Sequence, residues 1–359
     1  MRAPRAIQKT FATRLVVWQR AHGRHDLPWQ GEDAYRVWLS EIMLQQTQVA
    51  TVIPYYQRFV ASFPDIAALA AATEEQVLEH WSGLGYYARG RNLHRAARLI
   101  ADKYHGEFPR EFEQILDLPG IGRSTAAAIC ALAFHERRAI LDGNVKRVLA
   151  RYCGITGWTA DKKIEALLWQ QAETLLPQRD VAVYIQAQMD MGATLCTRGR
   201  PKCGQCPVQD DCVARQTDRV HQLPTSRPRK VVPERHSTFL LLMSGRDILL
   251  EKRAPQGIWG GLWCLPQLDD GQDIVADYVQ RNGIVVSERI ELDAFTHTFT
   301  HFKLHITPVL LHVPHKPLQV QQAGSVWLDV EDALRAAIPT PVRALLKQVR
   351  HALPSDRAS

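Results

Sequence analysis

The chain has 359 residues, 46% of them apolar and 23% charged, which excludes an extensively disordered polymer and provides for roughly two domains, each with its own core. No apolar run approaches the roughly 20 residues that span a bilayer, and the basic start MRAPRAIQK leads into no signal-peptide core, so a soluble cytoplasmic protein with no membrane partner is expected. Residues 1–230 carry 31 Lys and Arg against 23 Asp and Glu, a net +8, while 231–359 carry 13 against 14, a net −1; an excess confined to one part of the chain suits a polyanion such as a phosphate backbone, the alternative being plain solubility.

Up to about residue 215 the apolar residues recur at helical spacing. FATRLVVWQRAHG (11–23), YRVWLSEIMLQQTQVATVIPYYQRFVASF (35–63), EEQVLEHWSGLG (74–85), RGRNLHRAARLIADKYHG (89–106) and IEALLWQQAETLLP (164–177) predict helices, most of them closed by Gly or Pro. Within the second, Glu41 stands among Trp38, Ile42 and Leu44. A desolvated acid and a solvated helix glutamate are both open readings there.

LPGIGRSTAAAICALAF (118–134) is an apolar stretch ending in Pro-Gly-x-Gly before an Ala-rich helix. The residues fit either a helix–helix turn or a hairpin whose backbone N–H groups cradle a phosphate. Asp142 follows in LDGNVKRVLAR (141–151), just ahead of a helix, where an N-cap is the simplest role.

CTRGRPKCGQCPVQDDC (196–212) holds four of the seven cysteines in the spacing C-x6-C-x2-C-x5-C, at Cys196, Cys203, Cys206 and Cys212. So compact a loop in a cytosolic chain points to metal binding rather than to disulfides. Zinc commonly uses paired knuckles from separated segments, whereas one continuous loop with uneven gaps wraps a cubane; zinc and unligated core cysteines remain the alternatives. Cys130, Cys153 and Cys264 read as buried small hydrophobes. VHQLPTSRPRKVVP (220–233) reads as a linker, and beyond it STFLLLMS, DILLEKR, HFKLHITPVLLHV and SVWLDV predict strands, VEDALRAA and PVRALLKQV helices, a small α+β domain.

Taken together, WLSEIMLQQTQV (38–49), GLGYYARGRNL (83–93), LPGIGRSTAAAI, LDGNVKRVLAR, the cysteine loop and HTFTHF (297–302) resemble the helix-hairpin-helix DNA glycosylases related to endonuclease III, and within them the MutY-type adenine DNA glycosylases. The resemblance covers nearly the whole chain. It implies a multidomain protein: an all-α helix-hairpin-helix glycosylase domain over 1–219, with a six-helix lobe at about 31–138 and an iron–sulfur lobe from 1–30 and 139–219. A linker (220–235), a C-terminal α+β Nudix-like domain (236–350) and a flexible tail (351–359) follow. It further implies one 4Fe-4S cluster on the four loop cysteines and monofunctional base excision of adenine opposite 8-oxoguanine or guanine in duplex DNA, by a monomer associated with a bacterial nucleoid.

The chemistry needs an acid for the departing purine and an anion facing an oxocarbenium-like sugar. By the resemblance, Glu41 is the acid and Asp142 the counter-charge, with Asn144 an orienting amide. Ser124 stands where bifunctional relatives carry a Schiff-base lysine, so no dedicated strand cutting is expected, although Lys146 offers an adventitious amine. Gln45, Gln46 and Tyr86 resemble intercalating and wedge residues. Leu118, Gly120 and Gly122 mark the hairpin against DNA, and Arg198, Arg200 and Lys202 meet phosphates. Trp29, Leu44 and Gln186 resemble the adenine pocket, with Gln30 and Gln186 at places where relatives vary, and Phe299, Thr300 and His301 occupy the place of an 8-oxoguanine-contacting Phe-Ser-His loop. The stretch LDDGQDIVADYVQRNG (268–283) lacks a Nudix hydrolase metal signature, so pyrophosphatase activity is not expected. An endonuclease III-like enzyme for oxidised pyrimidines is opposed by Ser124 and the C-terminal domain; a redox-sensing DNA binder has no need of Glu41 and Asp142.

Overall fold

The structure, a computed structural model, describes residues 10–228, 232–269, 274–317 and 324–352; the centre of the expected linker (229–231) and most of the expected tail (353–359) lie outside them. The described chain forms two compact units. One comprises the chain up to Ala71 together with Arg95 to the linker, and the other joins Ala72–His94 to the C-terminal region. Among the described residues no helix is long and apolar enough to cross a membrane.

The helical part runs α1 (Phe11–His22), α2 (Ala34–Leu44), α3 (Val49–Ser62), α4 (Ile66–Ala71), α5 (Glu74–Trp81), α6 (Ala88–Lys103), α7 (Phe112–Leu116), α8 (Arg123–Ala133), α9 (Gly143–Tyr152), α10 (Lys162–Thr174), α11 (Val181–Thr194) and the short α12 (Val213–Gln216). The single helical period read over 35–63 is two helices. The chain breaks at Gln45–Gln48, where Gln46 adopts φ 57°, a left-handed backbone that ends α2 although apolar spacing continues across it. One core joins Phe11, Leu15 and Val16 of α1 to Val148 and Leu149 of α9, Leu168 of α10, and Tyr184 and Ile185 of α11.

The C-terminal region follows with β1 (Glu234–Ser244), β2 (Asp247–Lys252), β3 (Trp263–Cys264), β4 (Gln267–Asp269), α13 (Ile274–Arg281), β5 (Glu288–Glu291), β6 (Phe295–Thr298), β7 (Lys303–His312), β8 (Ser325–Asp329), α14 (Val330–Arg335) and α15 (Thr340–Ala352). The sheet has the order β3-β2-β1-β7-β5, with β8 on β2, β4 on β1 and β6 on β7. β1 and β7 run parallel, Leu240 opposite Val309 and Leu242 opposite Leu311, while the other pairs are antiparallel. Phe239 to Met243 are all buried, so this central strand is apolar on both faces and shows no alternation. Leu240 and Leu242 pack with Val275 of α13 and Val309 and Leu311 of β7. In the same unit Glu75 of α5 accepts hydrogen bonds from Lys252 Nζ (2.9 Å) and Trp263 Nε1, and Ser82 Oγ donates to the Ile338 carbonyl (2.9 Å).

Candidate active site

A cavity of about 1290 Å³ opens in the first unit, walled by α2 and the turn after it, the starts of α8 and α9, one face of α11 and the loop before α2. Glu41 and Asp142 both line it. The fold produces this meeting by packing α2 on α8 and placing α9 beside α11.

Glu41 is half-buried, the one acid in a helix where its neighbours Trp38, Leu39, Ile42 and Met43 are in the core. Burial, with the Asp142 charge adding to it, pushes its carboxyl up to about 8. Asp142 N-caps α9, and its Oδ1 accepts from the Val145 N–H at 2.7 Å. Burial raises Asp142 as well, but the Val145 and Asn144 N–H groups and the Arg147 and Lys146 charges pull the other way. Those stabilising groups act on Asp142, whereas burial and a neighbouring negative charge both disfavour an ionised Glu41. The pair therefore holds its proton on Glu41 and its charge on Asp142.

The flanking residues fix this carboxylate. Ser124 Oγ accepts from the Leu141 N–H at 2.9 Å, tying the start of α8 to the residue before Asp142. Asn144 Oδ1 accepts from Arg147 Nη2 at 2.9 Å, and a Cβ added at Gly192 would lie 2.6 Å from the Asn144 Cβ, so α11 carries a glycine where α9 comes close. Lys146 instead bonds Glu165 Oε1 at 2.6 Å, and it is not part of the cavity wall. The adventitious amine expected at Lys146 is directed away from the site.

Trp29, Leu44, Gln45, Gln46, Ser124, Asn144, Gln186 and Arg198 line the same cavity. Trp29 is buried, its ring edge-on to Tyr56 at 5.3 Å. The hairpin lies between α7 and α8: Gly120 has φ 82°, Leu118 is buried, and a Cβ at Gly122 would meet nothing within 4 Å, so the hairpin backbone is open to close approach. These three residues are not on the cavity wall.

Cys196, Cys203, Cys206 and Cys212 ring a small apolar cavity of about 30 Å³ in the first unit. All are free thiols, and the four line one common apolar volume. Burial pushes the Cys206 thiol up to about 11, so a thiolate there needs a cationic partner. This donor set fits a polynuclear iron–sulfur group better than one zinc ion. Arg198, Arg200 and Lys202 are exposed and have no acidic partner among the described residues. Cys130 and Cys264 are buried as expected, but Cys153, at the end of α9, is only partly so, its Sγ 3.7 Å from Gln171 Oε1.

In the second unit Tyr86 is 46% exposed with φ 50°, the Arg89 guanidinium lying 5.4 Å from its ring centre; it is no core residue. Phe299 to His301 lie at the tip of the β6–β7 hairpin, closed by the Phe299 N–H bonding the Phe302 carbonyl at 2.9 Å. Phe299 stacks on Phe302 at 4.4 Å, which leaves Thr300 and His301 exposed.

Sequence reasoning missed three anchors, two of them buried. Arg151 is 3% exposed and donates to the Cys196 Sγ (3.3 Å), the Thr197 carbonyl (2.8 Å) and the Leu223 carbonyl (2.8 Å). One turn earlier, Arg147 donates to the carbonyls of Cys196 and Gly192, each at 2.7 Å, so α9, the helix that Asp142 caps, is tied both to the cysteine loop and to α11. The third is Asp190, the one charged residue of the largely apolar α11 and 0% exposed. The available signal for it was the one that marked Glu41, a lone acid on an apolar helix.

Residues 39–174 match the HhH-GPD superfamily base excision DNA repair protein family, 196–212 the iron-sulfur binding domain of endonuclease III, and 238–348 the NUDIX domain. The chain is 37% identical over 342 residues to the adenine DNA glycosylase of Buchnera aphidicola subsp. Acyrthosiphon pisum (strain APS), covering 95% of this chain and 97% of that one. It is 33% identical over 404 aligned positions to the adenine DNA glycosylase of Homo sapiens, covering 94% and 73% respectively. Among solved structures, that of a thermostable thymine-DNA glycosylase is similar over 58% of this chain and 95% of its own, with TM-score 0.53 and 29% identity.

Proposed function

The chain belongs to the adenine DNA glycosylase family, and from that premise we propose that it hydrolyses the N-glycosidic bond of adenine paired with 8-oxoguanine or guanine in duplex DNA. The observation that carries the reading is the cavity in which a carboxyl that holds its proton near neutral pH faces a helix-capping carboxylate. Base release from C1′ leaves positive charge on the sugar and negative charge on the purine. Glu41 gives its proton to adenine N7, so the base leaves neutral, and Asp142 stabilises the oxocarbenium-like sugar. Glu41, now ionised, accepts a proton from the water that attacks C1′ and regains its starting state. Asn144 and Ser124 hold the Asp142 segment in place.

The enzyme is monofunctional in this reading. Ser124 offers no amine, and Lys146 is engaged by Glu165 outside the cavity wall. For adenine to enter, the duplex must give up a base. Gln46 and Tyr86, each held in left-handed backbone, are the wedge residues, since strained non-glycine residues gather at working sites. Thr300 and His301 read 8-oxoguanine from the hairpin tip, and the hairpin backbone around Gly120 and Gly122, with Arg198, Arg200 and Lys202, takes phosphates. Trp29, Leu44 and Gln186 enclose the adenine.

The chain carries an iron–sulfur cluster on its 196–212 loop, and of the possible types a 4Fe-4S cluster matches four thiols around one cavity. Bound there, it supplies structural crosslinking of the loop rather than a step of excision. The protein acts as a monomer on chromosomal DNA in the bacterial cytoplasm.

Duplexes carrying adenine opposite 8-oxoguanine, guanine or thymine test the reading directly. The parent is expected to release adenine from the first two and leave strands intact until alkali is added, and Glu41→Gln to release none. Nicking as fast as base release refutes the monofunctional assignment, and no adenine release from any duplex refutes the activity.

A further inference from the structure

Behind the cavity wall lies a carboxylate that the excision chemistry does not use. Asp190 is 0% exposed and does not itself line the cavity, yet five N–H donors converge on it. Its Oδ1 accepts from Arg24 Nε (2.9 Å), Arg24 Nη2 (2.5 Å) and Gln186 Nε2 (2.8 Å). Its Oδ2 accepts from the Arg24 backbone N–H (2.8 Å) and Gln19 Nε2 (2.9 Å). The fold makes room for this: a Cβ at Gly23 would lie 2.2 Å from the Gln19 amide, so only glycine lets that side chain pass to Asp190. Gln30 Nε2 in turn holds the Arg24 carbonyl at 2.9 Å.

A carboxylate can only accept hydrogen bonds. With Asp190 behind it, Gln186 must present its NH2 to the wall, which turns Oε1, an acceptor, toward the cavity that Gln186 lines. Arg24 lines the same cavity, and with Nε and Nη2 on Asp190 its remaining N–H groups are donors without a partner among the described residues. The cavity thus carries an acceptor and a donor side by side, in an order that neither side chain can reverse while Asp190 stands. Adenine presents an amino donor at C6 beside an acceptor at N1. Hypoxanthine and guanine present the reverse, an oxygen acceptor beside an N1–H donor.

We propose that Asp190 is a positioning residue for base selection, which sets the donor–acceptor polarity of Arg24 and Gln186 so that the cavity accepts 6-aminopurines and rejects 6-oxopurines. The inference rests on the adenine-excision reading above. Asp190→Leu removes both accepting oxygens in a side chain of similar size, so nothing behind the wall fixes the Gln186 amide, which can then flip and present a donor to the cavity.

The test uses full-length protein with its cluster, on duplexes with adenine or hypoxanthine opposite 8-oxoguanine under single-turnover conditions, alongside affinity for abasic-product duplex and thermal stability. D190L is expected to lower the adenine-to-hypoxanthine rate ratio by about 10- to 100-fold while product affinity stays at the parent value. Gln186→Leu, which leaves Asp190 with Arg24 and Gln19, is expected to lower the ratio as well, and the double variant to lower it no further than Q186L. A parent-like ratio in a folded D190L overturns the inference. If D190L does not fold, Q186L decides: a lowered ratio supports the inference, and a parent-like ratio overturns it. A parent that releases no adenine overturns the excision reading and this inference together, whereas an active parent with unchanged ratios overturns only the latter.

Discussion

Replacing Glu41 by Gln separates what this side chain does for stability from what it does for catalysis, and the two effects have opposite signs. In the unfolded chain the carboxyl ionises near 4.5, and in the fold burial and the Asp142 charge push it up to about 8. A group that binds its proton more tightly when folded leaves stability untouched below pH 4.5. Stability is then lost progressively as the pH rises from 4.5 to about 8, because only the unfolded chain gains by releasing the proton. At pH 7 the span crossed is roughly 2.5 pH units, worth about 3 kcal/mol at 1.36 kcal/mol each, and water in the open cavity screens this to about 2 kcal/mol. Gln fills the same space and cannot ionise. E41Q is therefore expected to raise the urea-unfolding free energy of the catalytic unit by about 2 kcal/mol at pH 7, with the difference vanishing near pH 4. Base release is expected to fall by at least about a thousandfold. Urea titrations of both proteins at pH 4, 5.5, 7 and 8.5 measure the difference. An E41Q protein less stable than its parent at pH 7, or one whose advantage does not vary with pH, refutes the assignment of the proton to Glu41.

Asp142→Asn keeps a good N-cap for α9 but removes the charge, so base release should fall by about 100- to 1,000-fold while stability moves by less than about 1 kcal/mol; parent-like kinetics would remove Asp142 from the reaction. Ser124→Ala leaves the Leu141 N–H without its acceptor, which should cost about 1–3 kcal/mol in urea unfolding and slow excision through Asp142. Arg200→Ala should weaken binding to matched and mismatched duplexes alike and reduce the slope of log affinity against log salt by about 1; an unchanged slope excludes a phosphate contact there. Cys206→Ser should lower bound iron and acid-labile sulfide and lower DNA affinity with it, and full retention of both iron and sulfide would show that Cys206 is not a ligand.

The helices and the strands 237–244 and 303–312 were legible because apolar spacing reports burial, and the motif around Glu41 was legible only through its resemblance to known glycosylases. On spacing alone Glu41 was as good a surface glutamate as a buried acid, since burial depends on α8 and α9, which arrive some 80 and 100 residues later. The break in 35–63 was invisible for a different reason: apolar positions continue across it, and only the backbone angle of Gln46 records the turn. The grouping of Ala72–His94 with the C-terminal region was unreadable too, because the bonds made by Glu75 and Ser82 there are single polar contacts with no periodic signature. Asp190 went unnoticed because four of its five donors come from Gln19 and Arg24, more than 160 residues away in the sequence.

The packing of α1 against α9, α10 and α11 has a consequence for the nascent chain. Phe11, Leu15 and Val16 leave the ribosome about 170 residues before their partners Tyr184 and Ile185. At roughly 5–20 residues per second that interval lasts about 10–30 s, during which the amphipathic α1 has an uncovered greasy side open to chaperones and to neighbouring chains. Since the α9 and α11 walls of the cavity belong to the same late closure, the cavity stays incomplete until α11 has emerged.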